Sequence, residues 1–266
     1  MPIADRSGVR IDYELSGDPD APPLLLIRGL ARSRSYWLEM TDRFAERFHV
    51  VSLDNRGVGR SEIPRPPYST RTMAEDALAV LDHARVESAH VFGVSLGGMI
   101  GQWFAIRHPE RVRRLVLGAT TPGGPKAAGI PMPVLLTLLS CAGKPLDESV
   151  EKMARFVLSS RANRERPEIT ERFRRIALSE PASARGLFGQ ALAGLMHDSW
   201  RHLHRIPCPT LVLVGDDDRM IPPINSYRLV ERIPNARLRV LPGVGHDFPA
   251  EIPAQTVHEV ARFLEP

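Results

Sequence analysis

The sequence predicts an α/β fold: a mostly parallel central sheet with helices on both faces, interrupted by a helical insertion. Three observations carry this. Short apolar runs alternate with helically spaced segments over the first half of the chain. That alternation stops near Thr121, and it resumes after about Arg205. Alternating strands and helices imply parallel strands joined by right-handed crossovers.

Val9–Leu15 alternates apolar and polar residues, as a half-buried strand does. Gly17 and the Asp18-Pro19-Asp20-Ala21-Pro22-Pro23 stretch read as a turn. Leu24–Ile27 is a continuous apolar run, expected of a strand covered on both faces. Trp37 to Phe48 has helical spacing, and Phe48–Leu53 reads as another buried strand. Thr72 is expected to cap a helix over Met73–Ala84, with Leu78, Val80 and Leu81 on its apolar side. His90–Phe92 (strand), Gly97–Arg107 (helix) and Arg114–Leu117 (strand) follow. From Pro122 to about Arg205 only helices are expected: Val134–Cys141, Leu146–Ser159, Glu168–Leu178 and Ala182–Met196. The alternation then resumes with Thr210–Val214, Asn225–Arg232, Arg237–Leu241 and Pro253–Leu264. The expected division is a core domain of residues 1–121 and 206–266, with residues 122–205 as a helical cap.

Composition narrows the function. The 266 residues are 43% hydrophobic and 25% charged, enough to bury a sizeable core. A net charge of +4 without a dominant Lys/Arg run, and with 6% aromatic residues, argues against a nucleic-acid partner. Cys141 and Cys208 match no metal or disulfide spacing, and His202 and His204 lack a third ligand in register, so no metal is expected. The first residues lack a signal-peptide pattern and no apolar run is long enough to span a bilayer, so a cytoplasmic protein without membrane association is expected. The glycines of Asp54–Ser61 lack the Lys-Ser/Thr of a phosphate loop, so no nucleotide cofactor is expected.

The chemistry concentrates in Gly93-Val94-Ser95-Leu96-Gly97-Gly98, between a predicted strand and a predicted helix. A G-x-S-x-G at such a turn holds its serine in a strained, exposed position, and glycines remove side chains that would clash in the bend. Ser95 is therefore the expected nucleophile, with the Leu96 backbone N–H as an oxyanion donor. A serine nucleophile needs a base, and the base an orienting carboxylate. His246 follows Leu241-Pro242-Gly243-Val244-Gly245, a turn that can present an imidazole at the sheet edge. The acid is one of Asp216, Asp217 and Asp218.

These segments resemble the α/β-hydrolase superfamily, and the resemblance extends over almost the whole chain outside the helical insertion. Leu24-Leu25-Leu26-Ile27-Arg28-Gly29-Leu30 is similar to the family's strand and oxyanion loop, with Trp37 where a tryptophan often follows. Asp54-Asn55-Arg56-Gly57-Val58-Gly59-Arg60-Ser61 is similar to its turn after the next strand. The resemblance implies a Ser95–His246–Asp218 triad: the family's Gly-x-x-Asp-x-x-Val-Pro falls on Gly215, Asp218, Ile221 and Pro222. It also implies Leu30 as the second oxyanion donor. Arg28 departs from the pattern, which has histidine there. It is expected to brace a nearby carboxylate; the sharper alternative is a guanidinium that favours an anionic substrate.

The nearest groups in size and motif are small carboxylesterases and 3-oxoadipate enol-lactonase-like hydrolases, which implies a small-molecule ester or lactone as substrate. Arg28, Trp37, Leu135 and Leu139 are candidates for the pocket. Carbon–carbon bond hydrolases of ring-cleavage pathways are an alternative within the family, and a non-catalytic ligand-binding protein is one from another class. Oligomeric state has no signature in the sequence.

Overall fold

The structure, a computed structural model, describes residues 2–141, 144 and 146–265. Eight strands form one sheet: β1 (Ile3–Arg6), β2 (Val9–Ser16), β3 (Pro23–Ile27), β4 (His49–Leu53), β5 (Ala89–Val94), β6 (Val112–Gly118), β7 (Thr210–Gly215) and β8 (Ala236–Leu241). Their order is β1-β2-β4-β3-β5-β6-β7-β8. The first two pairings, β1 with β2 and β2 with β4, are antiparallel, and every later one is parallel.

The helices are α1 (Met40–Ala45), α2 (Thr70–His83), α3 (Leu96–Arg107), α4 (Met132–Ser140), α5 (Leu146–Val157), α6 (Ser160–Glu165), α7 (Pro167–Ser179), α8 (Ala184–Leu195), α9 (Ile224–Arg232), α10 (Phe248–Glu251) and α11 (Pro253–Leu264). The two faces of β3 explain its continuous apolar run. Leu25 and Ile27 enter one core with α2, α3 and α9, whereas Leu24 and Leu26 enter another with α1, α10 and α11. Helices α4–α8 all lie between β6 and β7. A third apolar cluster joins α5, α6 and α7 to the sheet layer through Tyr36, Ala154, Leu158, Ala162, Phe173 and Ala250. Among the described residues no helix is long and apolar enough to cross a membrane.

Four local expectations need correction. First, β1 was not expected. It is four residues long and pairs with β2 through a turn in which both Ser7 (φ 53°) and Gly8 (φ 80°) are left-handed, the geometry of a tight hairpin. Second, the helix expected over Trp37–Phe48 is a short 3₁₀ turn, Arg34–Trp37, followed by the six-residue α1. Leu38, with φ 54°, breaks the spiral between them.

Third, Ser69 rather than Thr72 caps α2. Ser69 has extended backbone and its side chain accepts the Thr72 N–H, while Thr72 is already helical. Fourth, the helix expected over Leu146–Ser159 ends at Val157. Ser159 caps a new helix, α6, by accepting the Ala162 N–H.

Candidate active site

Parallel strands present their C-terminal ends along one edge of a sheet, where ligands bind in open α/β folds. Four loops meet there, after β3, β5, β7 and β8, and they carry Arg28–Leu30, Ser95, Asp218 and His246.

Ser95 bridges β5 and α3 with φ 58° and ψ −120°, a conformation that costs a non-glycine residue about 1–3 kcal/mol. The surroundings hold it there. Its N–H donates to Gly118 O (2.8 Å), and its carbonyl accepts Thr120 Oγ1–H (2.8 Å). A Cβ on Gly97 would lie 2.1 Å from Ile27 O, so α3 can begin this close to β3 only with glycine at that position. A Cβ on Gly29 would lie 3.0 Å from Ser95 Cβ, which sets the loop after β3 directly against the serine. Ser95 is part-exposed, and among the described residues its Oγ makes no hydrogen bond.

His246 and Asp218 are buried and brought together, Nδ1 to Oδ2 at 2.8 Å. A carboxylate only accepts, so His246 Nδ1 carries the proton of this bond, and in the neutral imidazole the free lone pair is the one on Nε2. The other Asp218 oxygen, Oδ1, accepts the Met220 and Ile221 N–H groups, each at 2.9 Å. Its two neighbours do other work. Asp216 Oδ1 accepts the Gly243 N–H (2.6 Å), and Asp217 Oδ2 accepts the Ser160 N–H (2.5 Å) at the start of α6.

Leu96 is buried and Leu30 partly buried, and neither backbone N–H has a partner among the described residues. The Leu96 N–H opens α3, where the helix dipole favours negative charge.

Arg28 is 1% exposed. Its Nη2 donates to both oxygens of Asp247 (3.1 and 3.0 Å), its guanidinium lies 4.8 Å from the centre of the Trp37 ring, and its carbonyl accepts from Asn55 Nδ2 (2.9 Å). Burial pushes the Asp247 carboxyl up, but Arg28 and Arg32 pull it further down, to below the ordinary carboxylate value.

The four pocket candidates are therefore not gathered at one surface. Arg28 and Trp37 are both buried, Trp37 against Phe92 with ring centres 5.1 Å apart. Leu135 is exposed on α4, and Val134 is the buried residue beside it. The side chain of Leu139 lies outside the described residues. One cleft of about 720 Å³ lies away from Ser95, Asp218 and His246, lined by Glu14, Arg34, Asp54 and Glu180. Arg34 is paired there with Asp54 (2.8 Å) and Glu14 (3.3 Å), and the lining carries more carboxylates than cations. No group of His, Cys, Asp and Glu suited to a metal ion occurs among the described residues.

Two buried carboxylates at this edge escaped the sequence analysis, Asp247 and Glu251. The signal for both was present: they are the charged residues of the apolar stretch Phe248–Pro253 and its entry, and a carboxylate inside such a stretch needs a buried partner.

A family model described as alpha/beta hydrolase fold matches residues 22–251. The chain belongs to that family. It is 34% identical to a poly(3-hydroxyalkanoate) depolymerase of Ectopseudomonas oleovorans, over 87% of this chain and 80% of the relative. It is 33% identical to a rhodomycin D methylesterase of Streptomyces sp. (strain C5), over 89% and 88% of the two chains. Among solved structures, Est816, described as an N-acyl homoserine lactone degrading enzyme, superposes with a TM-score of 0.84 at 28% identity, over 98% of this chain and 100% of that one.

Proposed function

We propose that the chain is a serine hydrolase of small carboxylic esters or lactones, acting through Ser95, His246 and Asp218. The observation that carries this is the buried 2.8 Å His246–Asp218 hydrogen bond, on the same sheet edge as a serine held at φ 58° between strand and helix. Two of these proteins act on an ester or a lactone by their names, a methylesterase and a lactone-degrading enzyme, which supports the reaction class.

In this reading Ser95 Oγ turns to His246 Nε2 and gives up its proton as it attacks the carbonyl carbon. The imidazolium that forms is stabilised by Asp218. The developing oxyanion takes the free N–H groups of Leu30 and Leu96, a contribution of about 3–4 kcal/mol per donor in comparable sites. His246 then protonates the leaving alkoxide, and a water deprotonated by His246 releases the acyl group from Ser95. Residues 122–205 act as a cap on a core of residues 1–121 and 206–266, and the exposed apolar side chains of α4, Leu135 among them, line the approach of an apolar substrate. Arg28 acts as a brace rather than a substrate contact, since both its oxygen partners belong to Asp247.

The test is turnover of a p-nitrophenyl acyl ester by the wild type and by Ser95→Ala. The variant is expected to keep its fold and lose turnover, with an organophosphonate labelling Ser95 in the wild type. Near-normal turnover by folded Ser95→Ala, or an adduct on another residue, rejects the reading.

A further inference from the structure

Four successive residues form the link from the end of α5 to the start of α6, and each is gripped by the loops that carry Asp218 and His246 or by α10, which follows the His246 loop. Val157 O accepts the Asp247 N–H (2.8 Å). Leu158 O accepts Arg219 Nη2–H (3.0 Å). Ser159 donates its N–H to Glu251 Oε1 and its O–H to Oε2, both at 2.7 Å. The Ser160 N–H goes to Asp217 Oδ2 (2.5 Å). Glu251 Oε1 also accepts the Gly245 N–H (3.1 Å).

The partners are not scattered. Asp217 and Arg219 flank Asp218, and Gly245 and Asp247 flank His246. A Cβ on Gly245 would lie 2.4 Å from Ser159 N, so the histidine loop and the link are in direct backbone contact. Leu158 and Ser159 are buried, and Leu158 packs with Tyr36, Phe173 and Ala250.

We infer that Glu251 and the Val157–Ser160 link are positioning elements that hold the Asp218 and His246 loops in register. This rests on the function proposed above. The roots of the two loops are already joined, Asp216 N–H to Leu241 O (3.1 Å), Asp217 N–H to Val244 O (3.0 Å) and Gly243 N–H to Asp216 Oδ1 (2.6 Å). Beyond those bonds the acid and the base project on separate loops, and the link spans both. Helices α4–α8 thereby act on the reacting groups as well as covering the substrate. Glu251 is the keystone because one carboxylate takes two donors from the link and one from the residue before His246. Releasing it frees the histidine loop to drift, and a misplacement of about 1 Å at reacting atoms lowers rates by roughly a hundredfold.

The experiment compares Glu251→Ala and Glu251→Gln on p-nitrophenyl acetate, a substrate too small to need a pocket wall. Glu251→Ala is expected to lower kcat by about ten- to a hundredfold with KM changed less than about threefold. Glu251→Gln keeps an oxygen for the Ser159 and Gly245 N–H groups and is expected to recover most of kcat. The downfield proton resonance of the His246 Nδ1–H, which needs no turnover, should broaden in Glu251→Ala and persist in Glu251→Gln. If Glu251→Ala does not fold, Ser159→Ala and Asp217→Ala each remove one attachment and should give smaller losses of kcat. An unchanged kcat with a raised KM would overturn the inference, leaving the link as a pocket wall only. So would a sharp imidazole proton in Glu251→Ala. A wild type that hydrolyses no ester, yet loses this resonance on Glu251→Ala, would refute the proposed function while supporting the positioning role.

Discussion

Replacing Arg28 by methionine should destabilise the protein by about 3–5 kcal/mol, the range for removing one partner of a buried ion pair. The structure gives the reasons. The Arg28 and Asp247 side chains are 2% and 6% exposed, and neither has a second charged partner in bonding range among the described residues. Two charges about 3 Å apart at an effective dielectric of about 20 attract by roughly 5.5 kcal/mol, close to the top of that range. Without Arg28, the Asp247 carboxylate stays buried and unpaired beside His246. Asp247→Leu should cost a similar amount, because Arg28 already has Nε and Nη1 unpartnered and would lose its last acceptor. The double variant Arg28→Met/Asp247→Leu should cost only about 1–2 kcal/mol, since apolar groups of similar volume often replace a buried pair with little loss. Urea unfolding of the four proteins measures the coupling as a double-mutant cycle. The Asp247 carboxyl is held below its ordinary value, so the pair's stabilisation is present above the unfolded pKa of ~3.9 and is lost as pH falls through the folded one. The cycle therefore belongs at pH 7. Costs that simply add in the double variant would refute the idea that the two charges depend on each other.

Asp218→Asn should lower ester turnover by about ten-thousand-fold, as the amide cannot stabilise the imidazolium. Asp216→Asn should be far milder in the same assay, and a dead Asp216→Asn beside an active Asp218→Asn would reassign the acid. Acid should destabilise the fold through His197, which is 2% exposed and which burial pushes down to about 3. Its neutral form is the native one, so stability is full above the unfolded value of ~6.5 and falls with pH below it, by about 2 kcal/mol at pH 5. His90, pushed down to about 4 by burial and then by Arg113 and Arg114, adds in the same direction. Urea midpoints at pH 7 and pH 5 should differ less in His197→Asn than in the wild type, and equal differences would dismiss His197 as the source.

What the sequence made legible was whatever has a short-range physical cause. Leu24–Ile27, and Thr210–Val214 after its first residue, are apolar because both faces of a parallel strand are covered, and each lies within a strand of the structure. The Ser95 turn was legible because its glycines answer a local steric demand, which Gly97 meets against Ile27. The elements that escaped depend on context. The four residues of β1 owe their pairing to a turn and a neighbour, and carry too few apolar side chains to signal a strand alone. Trp37, Met40 and Phe44 share a buried face, so the helical spacing was real, but Leu38 in a left-handed conformation divides it.

The candidate site divides along the same line. Ser95 and His246 stand out because each sits in a glycine-bounded loop after a strand, and the choice of Asp218 among three aspartates needed the family pattern. What no local pattern could assign was where the neighbouring charges go. Arg28 and Asp247 are 219 positions apart, and Ser159 and Glu251 are 92 apart. Their partnerships exist only once β3, β8 and the α5–α6 link are assembled. Yet each is forced, because a buried charge must find a counter-charge or several donors. Arg28, standing where the resemblance implies a histidine, demanded a carboxylate, and the chain supplies it at the residue after His246. A departure from a family pattern at a buried position is thus best read as half of a pair. The other half belongs among unexplained charges in apolar stretches, and here that search leads to the loop that carries His246.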